Sequence, residues 1–377
     1  MARSFATAVL GSWMQGEGAF AMELIPGLPN DVAMECLIRV PYQHFPAVDS
    51  VCHSWNDKIN MPGFRLHRKV AGLSRRVILM AQARNNPNLK PGSVKSLAAT
   101  PVYRVTLCEP ETGRWRELPP VPGYLDGLPL FCQLTGVGFD LVLMGGLDPV
   151  TWEVSNQVFV YSFVSATWRR GADIPGGSRT FFACASDSDR TVFVAGGHDS
   201  EKNALRSAMA YDVASDKWAQ LPDMASERDE CKGVFRRGKF HVIGGYRTDT
   251  QGRFERTAEA FDLATWQWDP LQENFLERAT CPGTCLDGDD DRMFVCRDGN
   301  VMALDSSTWQ AIVELPAEIK CTTNMTVWKE KVLVIGSPRY NEPHGAYLLD
   351  LKSYTWTKLE QSEGFSGHVQ ASCCLEI

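Results

Sequence analysis

The chain has 377 residues, of which 44% are apolar and 22% charged, a balance typical of a globular protein of one to three domains. Its net charge of −7 provides no basic excess to neutralise a phosphate backbone, so nucleic acid is not an expected partner. No apolar run approaches the ~18 residues that span a bilayer, so no membrane association is predicted.

The first 22 residues imitate a secretory signal peptide only in part. Arg3 precedes an apolar run, but glycines and a glutamate interrupt that run before an Ala-Phe-Ala that resembles a cleavage site. We therefore predict a flexible N-terminal extension over residues 1–22 rather than an export signal.

Residues 23–67 have the periodicity of helices. Pro29 and Asn30 supply helix-start residues, and Pro41 stops the first predicted helix. A segment of about 45 residues is too short to bury an independent core, so its apolar surface is expected to meet a partner. Apolar residues recur at helical spacing in two sets, Val32, Cys36, Leu37 and Val40, then Val48, Val51, Cys52, Trp55 and Ile59.

A small basic cluster follows the predicted helices. It is interpreted as a solvated linker face, because isolated charge runs are weak signals of binding. Its members are Arg65, Arg68, Lys69, Arg75 and Arg76.

A tryptophan recurs along the rest of the chain, each time after a short strand-like run: Trp115, Trp168, Trp218, Trp268, Trp309 and Trp356. The interval of about 41 to 53 residues is close to the period of roughly 50 typical of kelch propeller blades. Abundant glycine and aromatic residues also favour short strands and tight turns.

The repeating unit is clearest in its third copy. Its predicted strands lie at 181–185, at 192–195, at 208–212 and around Trp218. The second strand ends in Gly196 and Gly197, which allow positive φ and close approach of the backbone. Tyr211 and Trp218 are expected to fill the space between neighbouring blades.

The other copies vary, and the two chain ends complement each other. Residues 369–375 resemble a first strand, and the first copy begins with its second strand at residue 76, so the C-terminus is expected to complete the first of six blades. Residues 84–100 are predicted to form a long polar loop in that blade. The glycine pair recurs as Gly145-Gly146 and Gly244-Gly245 but is replaced by Asp298-Gly299 and Gly336-Ser337 in the last two copies.

The repeat over residues 75–377 resembles the kelch family, and residues 23–67 resemble an F-box. The matching F-box pattern is Leu28-Pro29, Arg39-Val40-Pro41, Val51-Cys52 and Trp55. Asn30 in place of the usual acid and Cys36 in place of a larger aliphatic residue depart from that motif. The predicted fold class is therefore mainly β, a six-bladed kelch β-propeller preceded by a small helical F-box.

The F-box resemblance implies binding to the Skp-type adaptor of cullin ubiquitin ligases. Some of the matching positions are expected to contact the adaptor and others to form the core of the motif. They are Leu28, Pro29, Val32, Leu37, Val51, Cys52 and Trp55.

From Met22 onward the chain resembles the plant F-box/kelch-repeat proteins, as in "MELIPGLP", "DPVTW", "VFVAGGHD" and "GHVQASCCLEI". The resemblance implies a substrate receptor of a Skp-cullin-F-box (SCF) ubiquitin ligase, whose propeller binds the target for ubiquitination and proteasomal degradation. The subgroup is associated with turnover of phenylalanine ammonia-lyase, hence with phenylpropanoid biosynthesis, and in part with cytokinin response regulators.

Target contacts are expected on one face of the propeller. In an antiparallel blade, the loop between the second and third strands and the loop to the next blade lie at the same end. Arg and Tyr are favoured interface anchors there, although each could also be an ordinary turn residue. The candidates are Arg179, His198, Asp199, Arg228, Asp229, Tyr246, Arg247, Arg339 and Tyr340.

Two other functional classes stay open. A propeller enzyme similar to galactose oxidase or to nitrile-specifier proteins would need a metal site, but no histidine pair of the ring has ligand spacing. No nucleophile elbow or phosphate loop occurs either, so a non-catalytic subunit without a cofactor is predicted. The third class is a kelch scaffold without ubiquitin transfer, which adaptor binding would distinguish.

The twelve cysteines lie mostly in apolar strand-like runs, where a free thiol acts as a small buried hydrophobe. Cys281 and Cys285 could begin a zinc site, but no Cys-x-x-Cys pair or nearby His completes it, so no metal is predicted. A disulfide scaffold would be short and rich in loops. A cytoplasmic or nuclear location is therefore expected.

Overall fold

The computed structural model describes residues 23–84, 101–290, 292–305, 308–340 and 342–377. The chain divides into two units, one ending at Leu73 and the other beginning at Ser74. The extension predicted over residues 1–22 and almost all of the loop predicted over 84–100 lie outside the described residues. No helix in the described ranges is long and apolar enough to cross a bilayer.

The N-terminal unit contains the helices α1 Asn30–Ile38, α2 Phe45–Asp49, α3 His53–Asn60 and α4 Pro62–Val70. The second apolar set is not one helix, because α2 ends at Asp49 and α3 begins only at His53. Cys52 is extended between them, and its carbonyl accepts hydrogen bonds from the N–H groups of Trp55 and Asn56 at 3.1 and 3.0 Å.

The second unit consists of six antiparallel four-stranded sheets. Blade 1 contains β1 Arg76–Ala83, β2 Tyr103–Glu109, β3 Arg114–Glu117 and the C-terminal β24 Val369–Glu376. Blade 2 contains β4 Gln133–Val137, β5 Asp140–Met144, β6 Val158–Ser162 and β7 Thr167–Gly171. Blade 3 contains β8 Ala183–Ser186, β9 Thr191–Ala195, β10 Ala208–Asp212 and β11 Lys217–Leu221.

The remaining blades follow in chain order. Blade 4 contains β12 Lys232–Arg236, β13 Lys239–Ile243, β14 Ala258–Asp262 and β15 Gln267–Trp268. Blade 5 contains β16 Leu286–Asp287, β17 Met293–Arg297, β18 Asn300–Asp305 and β19 Thr308–Glu314. Blade 6 contains β20 Cys321–Trp328, β21 Lys331–Ser337, β22 Gly345–Asp350 and β23 Trp356–Leu359.

The blades close into a ring around their inner strands. Each inner strand contacts the next, in the order β24, β4, β8, β12, β16, β20 and back to β24. The last strand, β24, pairs antiparallel with β1, and Arg75 and Ile377 exchange backbone hydrogen bonds of 2.7 and 2.8 Å. The predicted mainly β fold, a six-bladed propeller preceded by a small helical region, is confirmed.

Each repeat tryptophan forms what we call a tryptophan latch: its indole Nε1–H donates to a backbone carbonyl at the end of the outer strand of the preceding blade or in the segment that follows that strand. The distances are 2.7–3.0 Å, and the latch of Trp115 reaches the end of blade 6, so it spans the ring closure. The acceptors are Glu360 for Trp115, Pro119 for Trp168, Ala172 for Trp218, Pro222 for Trp268, Phe275 for Trp309 and Glu314 for Trp356.

The core lies between neighbouring blades. Val160 of blade 2 and Val192 and Tyr211 of blade 3 are buried in one cluster, and the Tyr211 ring stacks on Trp218 with centroids 4.9 Å apart. A tyrosine and a tryptophan from one blade thus cover apolar area against the preceding blade, as large aromatic residues do in protein cores.

The paired glycines are needed where the second strand leaves the blade. Gly197 has φ +80°, and a Cβ there would lie 2.4 Å from the carbonyl oxygen of Thr180. In blade 5 the corresponding Asp298 and Gly299 have φ +49° and +77° and join β17 directly to β18. Blade 5 therefore lacks the long loop that blades 2, 3 and 4 carry.

Candidate functional site: two interaction surfaces

The N-terminal unit leaves apolar groups exposed on its helices. Val32 and Cys36 are one turn apart on α1 and both are exposed, while Val51 and Cys52 are exposed between α2 and α3. Pro29, at the start of α1, is exposed as well. Of the seven residues predicted to bind the adaptor, four are thus exposed, Leu28 and Trp55 are half-buried, and Leu37 is buried.

The other two predicted residues hold the unit together. Leu37 is buried, and the indole of half-buried Trp55 donates to the carbonyl of Leu24 at 2.5 Å. Asn30, which departs from the motif, also has a local task, because its side-chain oxygen accepts a hydrogen bond from the Leu24 N–H at 2.8 Å. These bonds fix the segment before α1, and with it the exposed Pro29.

A buried arginine was missed by the sequence prediction. Arg68 is only 2% exposed, and its Nη1 donates to the carbonyls of Ile38 and Val40 at 2.5 and 2.8 Å. Its Nη2 donates to Leu73 at 3.0 Å, and its guanidinium lies over the Phe45 ring. The cation therefore satisfies the carbonyls at the end of α1, where the helix dipole favours positive charge. The interpretation of this side chain as solvated was wrong, because charge patterning does not show which member of a cluster turns inward.

The propeller carries its long loops at one end. We call this end the loop face: it comprises the loops between second and third strands and the connections from each fourth strand to the next blade. Acidic residues outnumber basic ones in its described segments. All nine residues predicted to contact a target lie in these segments.

Arg179 and Arg228 do not present their side chains to solvent. Arg179 donates to the Gly196 carbonyl at 3.2 Å and to the Ser207 hydroxyl at 2.8 Å, and burial lowers its pKa to about 10. Arg228, 1% exposed, donates to the Gly244 carbonyl at 2.8 Å and pairs with buried Glu259 at 3.1 Å. The expectation of exposed anchors needs correction at these two positions. Each guanidinium turns inward because the next blade's loop offers unpaired carbonyl groups.

Three of the other predicted residues come together beside Arg228. His198 Nδ1 and Asp229 Oδ2 are 2.8 Å apart, and Asp229 and Tyr246 exchange backbone hydrogen bonds of 2.8 and 3.0 Å. The Tyr246 hydroxyl donates to Glu230 Oε1 at 3.0 Å, and burial, followed by the charge of Asp229, raises its pKa well above the usual range. Glu230 is a further member of this cluster.

The remaining predicted residues lie apart from that cluster. Asp199 shapes its own turn by accepting hydrogen bonds from the N–H groups of Glu201 and Asn203, both at 2.9 Å. Arg247 is exposed in blade 4, and Arg339 and Tyr340 are exposed in blade 6, which lies across the ring from blade 3. Whether these side chains contact a target stays a prediction.

Exposed aromatic residues on the loop face were also missed. Phe131 lies before β4, and Trp152 is at the tip of the loop between β5 and β6; both are exposed. The string "DPVTW", which contains Trp152, contributed to the family resemblance, but nothing in the spacing of either residue separates a surface aromatic from a core one.

The described chain offers little for small-molecule or metal chemistry. An open cavity of about 380 Å³ lies beside blade 2, where the Tyr124 hydroxyl donates to Gln157 at 3.0 Å. Within the described residues, no group of three His, Cys, Asp or Glu side chains could hold a metal ion. All twelve cysteines are free thiols, and burial raises the pKa of several of them, Cys132 and Cys184 to about 12.

Comparison with known proteins finds matches for both the helical unit and the propeller. A family model of the F-box domain matches residues 25–67, and one of the Kelch motif matches residues 179–225. Two F-box/kelch-repeat proteins of Arabidopsis thaliana are each 50% identical to this chain, with 94% of this chain and 100% of each relative covered. The solved structure of YjhT is similar with a TM-score of 0.55 and 12% identity, covering 68% of this chain and 91% of that chain, which concerns the fold alone.

Proposed function

Because the chain belongs to the F-box/kelch-repeat proteins, we propose that it is the substrate-recognition subunit of an SCF-type ubiquitin ligase. Its helical unit would bind a Skp-type adaptor joined to the cullin core, and its propeller would bind a protein target for ubiquitination and proteasomal degradation. The chain itself would contribute no catalytic group, since ubiquitin transfer needs only that the two bound partners be held together.

The observation that carries the proposal is the exposed apolar surface of the helical unit. Val32, Cys36, Val51 and Cys52 are all accessible in a unit whose core is already formed around Leu37. Exposed apolar groups on a small helical unit are typical of a protein interface. A standard interface of roughly 800 Å² per partner would cover them.

The proposed target is phenylalanine ammonia-lyase, with control of phenylpropanoid biosynthesis as the consequence. This part of the proposal rests on the resemblance of the sequence to that plant subgroup. A cytokinin response regulator is the alternative target. Pull-down of each purified candidate with the full chain, followed by its half-life in cells with and without the chain, separates the two.

We also propose a cytoplasmic or nuclear location. Twelve free cysteines suit a reducing compartment, because an oxidising one favours disulfides. Imaging of a tagged full chain tests this directly.

The adaptor interaction is tested by co-elution of the full chain with a purified Skp-type adaptor. Val32→Asp and Val51→Asp place a charge on the apolar surface without disturbing the core, so we expect affinity to fall by about tenfold or more. Val150→Asp is the matched control, since Val150 is also an exposed valine but belongs to the propeller. Co-elution of both helical variants with unchanged affinity, or failure of the wild type to bind, contradicts the proposal and leaves the kelch scaffold as the alternative.

A further inference from the structure

Three residues at equivalent positions, each just before the inner strand of its blade, have an unusual backbone conformation. Phe131, Phe181 and Glu230 lie just before β4, β8 and β12, with φ of +58°, +56° and +49°. The left-handed region is unfavourable for any residue with a Cβ and is a genuine outlier for a bulky one. Because Glu230 adopts the same backbone in blade 4, the turn itself does not require an aromatic side chain.

The two phenylalanines and a histidine stack beside each other. Phe131 and Phe181 have ring centroids 4.6 Å apart, and Phe181 and His198 have centroids 5.5 Å apart with near-parallel planes. We call Phe131, Phe181 and His198 the aromatic ladder. Its outer end is open, since Phe131 remains 41% exposed despite its conformation. Aromatic residues that are strained and exposed, and that the fold does not require, indicate a binding surface.

Carboxylates lie at the other end of the ladder. His198 Nδ1 is 2.8 Å from Asp229 Oδ2, and the next residue, Glu230, is half-buried with its side chain held by the Tyr246 hydroxyl. The loop face around them has more acidic than basic residues in its described segments. An apolar stack that ends in negative charge is complementary to a bulky apolar side chain followed by a cation.

A comparison of the loops of blades 2 and 3 supports the same assignment. Trp152 and Lys202 both end their turns with positive φ, +62° and +63°. The Trp152 N–H donates to the carbonyl of Asp148 four residues earlier, and the Lys202 N–H to that of Asp199 three residues earlier. Since blade 3 has a lysine at this last position of a turn one residue shorter, the backbone conformation does not itself require a tryptophan in blade 2. Backbone bridges join the strand segment before Phe131 to this loop, through Leu130, Leu147 and Val154.

We propose that the aromatic ladder is the docking site for a segment of the target in which a bulky apolar residue lies next to lysine or arginine. The apolar side chain packs on Phe131 and Phe181, with Trp152 flanking it, and the cation faces Glu230. This inference rests on the proposed function, in which the propeller holds a protein target, and it specifies the chemistry of that target.

Gln370 acts as a positioning residue for this site. Its Oε1 accepts the Phe131 N–H at 2.8 Å, and its Nε2 donates to the Pro129 carbonyl at 2.9 Å. Since Gln370 lies in β24, the strand that closes the ring also fixes the backbone of Phe131. A side chain in the last blade-forming strand thus supports the conformation of a residue more than two hundred positions earlier.

The test begins with selection of a display library of random linear peptides on the full-length wild-type chain. We expect enrichment of peptides that contain Phe, Trp, Leu or Met within about two positions of Lys or Arg. Affinity of the enriched peptide should decrease as salt rises, because exposed charge pairs are screened. Enrichment of acidic peptides, of peptides without an apolar residue, or of none at all overturns the proposal.

Variants then locate the bound peptide. Phe131→Asn keeps a residue that tolerates positive φ and should weaken binding about tenfold or more. Trp266→Asn is the matched control, because Trp266 is also exposed with positive φ but lies at the opposite end of the ring. Equal effects of the two substitutions, or no effect of Phe131→Asn, overturn the assignment.

Charge recognition is tested by a double-substitution cycle. Glu230→Gln and replacement of the peptide cation by Gln should each weaken binding, and the two losses should not add if the groups meet. Full additivity overturns the placement of the cation. Co-elution with the adaptor is measured on the same preparations. A wild-type chain that binds the peptide but not the adaptor would contradict the proposed ligase function and leave the docking site standing. A chain that binds the adaptor but no peptide of the expected kind would do the reverse, so the two failures are distinguishable.

Discussion

The helical unit buries one arginine almost completely, Arg68, and the propeller buries two, Arg179 and Arg228. Arg68 and Arg228 act differently. Arg68 gathers backbone carbonyls at a helix end and lies on an aromatic ring, whereas Arg228 pairs with the carboxylate of Glu259. The helical unit thus satisfies three backbone carbonyls with a single side chain. The propeller repeats its tryptophan latch in every blade and adds the Arg228 pair in one of them. A small unit can therefore depend on one residue for its stability, whereas a repeat architecture distributes its stability over many equivalent contacts.

The largest expected effect comes from the buried ion pair of the propeller. Arg228→Met leaves the buried carboxylate of Glu259 without its cation, and loss of one member of a buried pair costs about 3–5 kcal/mol. The midpoint of the ring's thermal transition should fall accordingly. Arg206→Met is the matched control, since that arginine is exposed and forms only a surface pair with Asp223. A second methionine at Glu259 should restore part of the lost stability, and an Arg228→Met protein as stable as its control would contradict this account.

The next effect is on the helical unit. Arg68→Leu removes the donor from the carbonyls of Ile38, Val40 and Leu73, and unpaired buried acceptors cost roughly 3 kcal/mol in total. Hydrogen exchange in α1 and α4 should accelerate while exchange in the blades stays unchanged. Lys69→Leu changes an exposed neighbour and should leave protection as it is. Equal hydrogen-exchange rates in the two variants would show that the stability of the helical unit does not depend on Arg68.

A single latch should matter much less. Trp218→Phe keeps an aromatic ring against Tyr211 but deletes the hydrogen bond to Ala172, which is worth about 1 kcal/mol. Denaturant unfolding of the full chain provides the measurement. Trp266→Phe is the control, because Trp266 is not one of the six latch tryptophans. A larger loss of unfolding free energy for Trp266→Phe than for Trp218→Phe would contradict the role of the latch.

The smallest expected effect depends on pH. Burial, followed by the charge of neighbouring His368, lowers the pKa of His344 to about 4, so the unfolded chain binds its proton more readily. His344 therefore costs the ring stability as pH falls from about 6.5 towards 4. Asp140, whose pKa burial raises to about 6, acts in the opposite direction, since its folded form retains a proton between about pH 4 and 6.

The two contributions are separated by substitution. His344→Gln should reduce the loss of ring stability between pH 7 and pH 5 relative to the wild type. The contributions of Asp140 and of His241, whose pKa burial also lowers to about 4, remain in both proteins. Thermal melts of the two proteins across this range give the comparison. An unchanged difference in melting temperature between pH 7 and pH 5 would exclude His344 as a contributor.

Much of the fold followed from local pattern. Tryptophan spacing predicted the number of blades, and the resemblance of residues 369–375 to a first strand predicted where the chain ends pair. The helical spacing of Val32, Leu37 and Trp55 predicted helices, although the break before His53 was missed, because Cys52 has an extended backbone that its neighbours do not indicate. Strand β8 begins at Ala183 rather than at 181 because Phe181 has positive φ.

The candidate site was predicted less completely. Loop-face segments were placed correctly, but the sequence predictions treated Arg179 and Arg228 as exposed and did not name Phe131 or Phe181. A residue type indicates what a side chain can do, while its direction depends on which distant carbonyls, rings or carboxylates surround it.

By itself the sequence determined the repeat, the helical segment and the loops that share one end of the ring, because each of these depends on periodicity and on turn residues near in the chain. Only the tertiary structure decided which side chains those loops turn outward. Gly244 and Glu259 draw Arg228 inward, while Gln370, from the far end of the chain, fixes Phe131. The contacts of Arg228 form only when blade 4 folds, and that of Gln370 only when the ring closes, so no local pattern contains them.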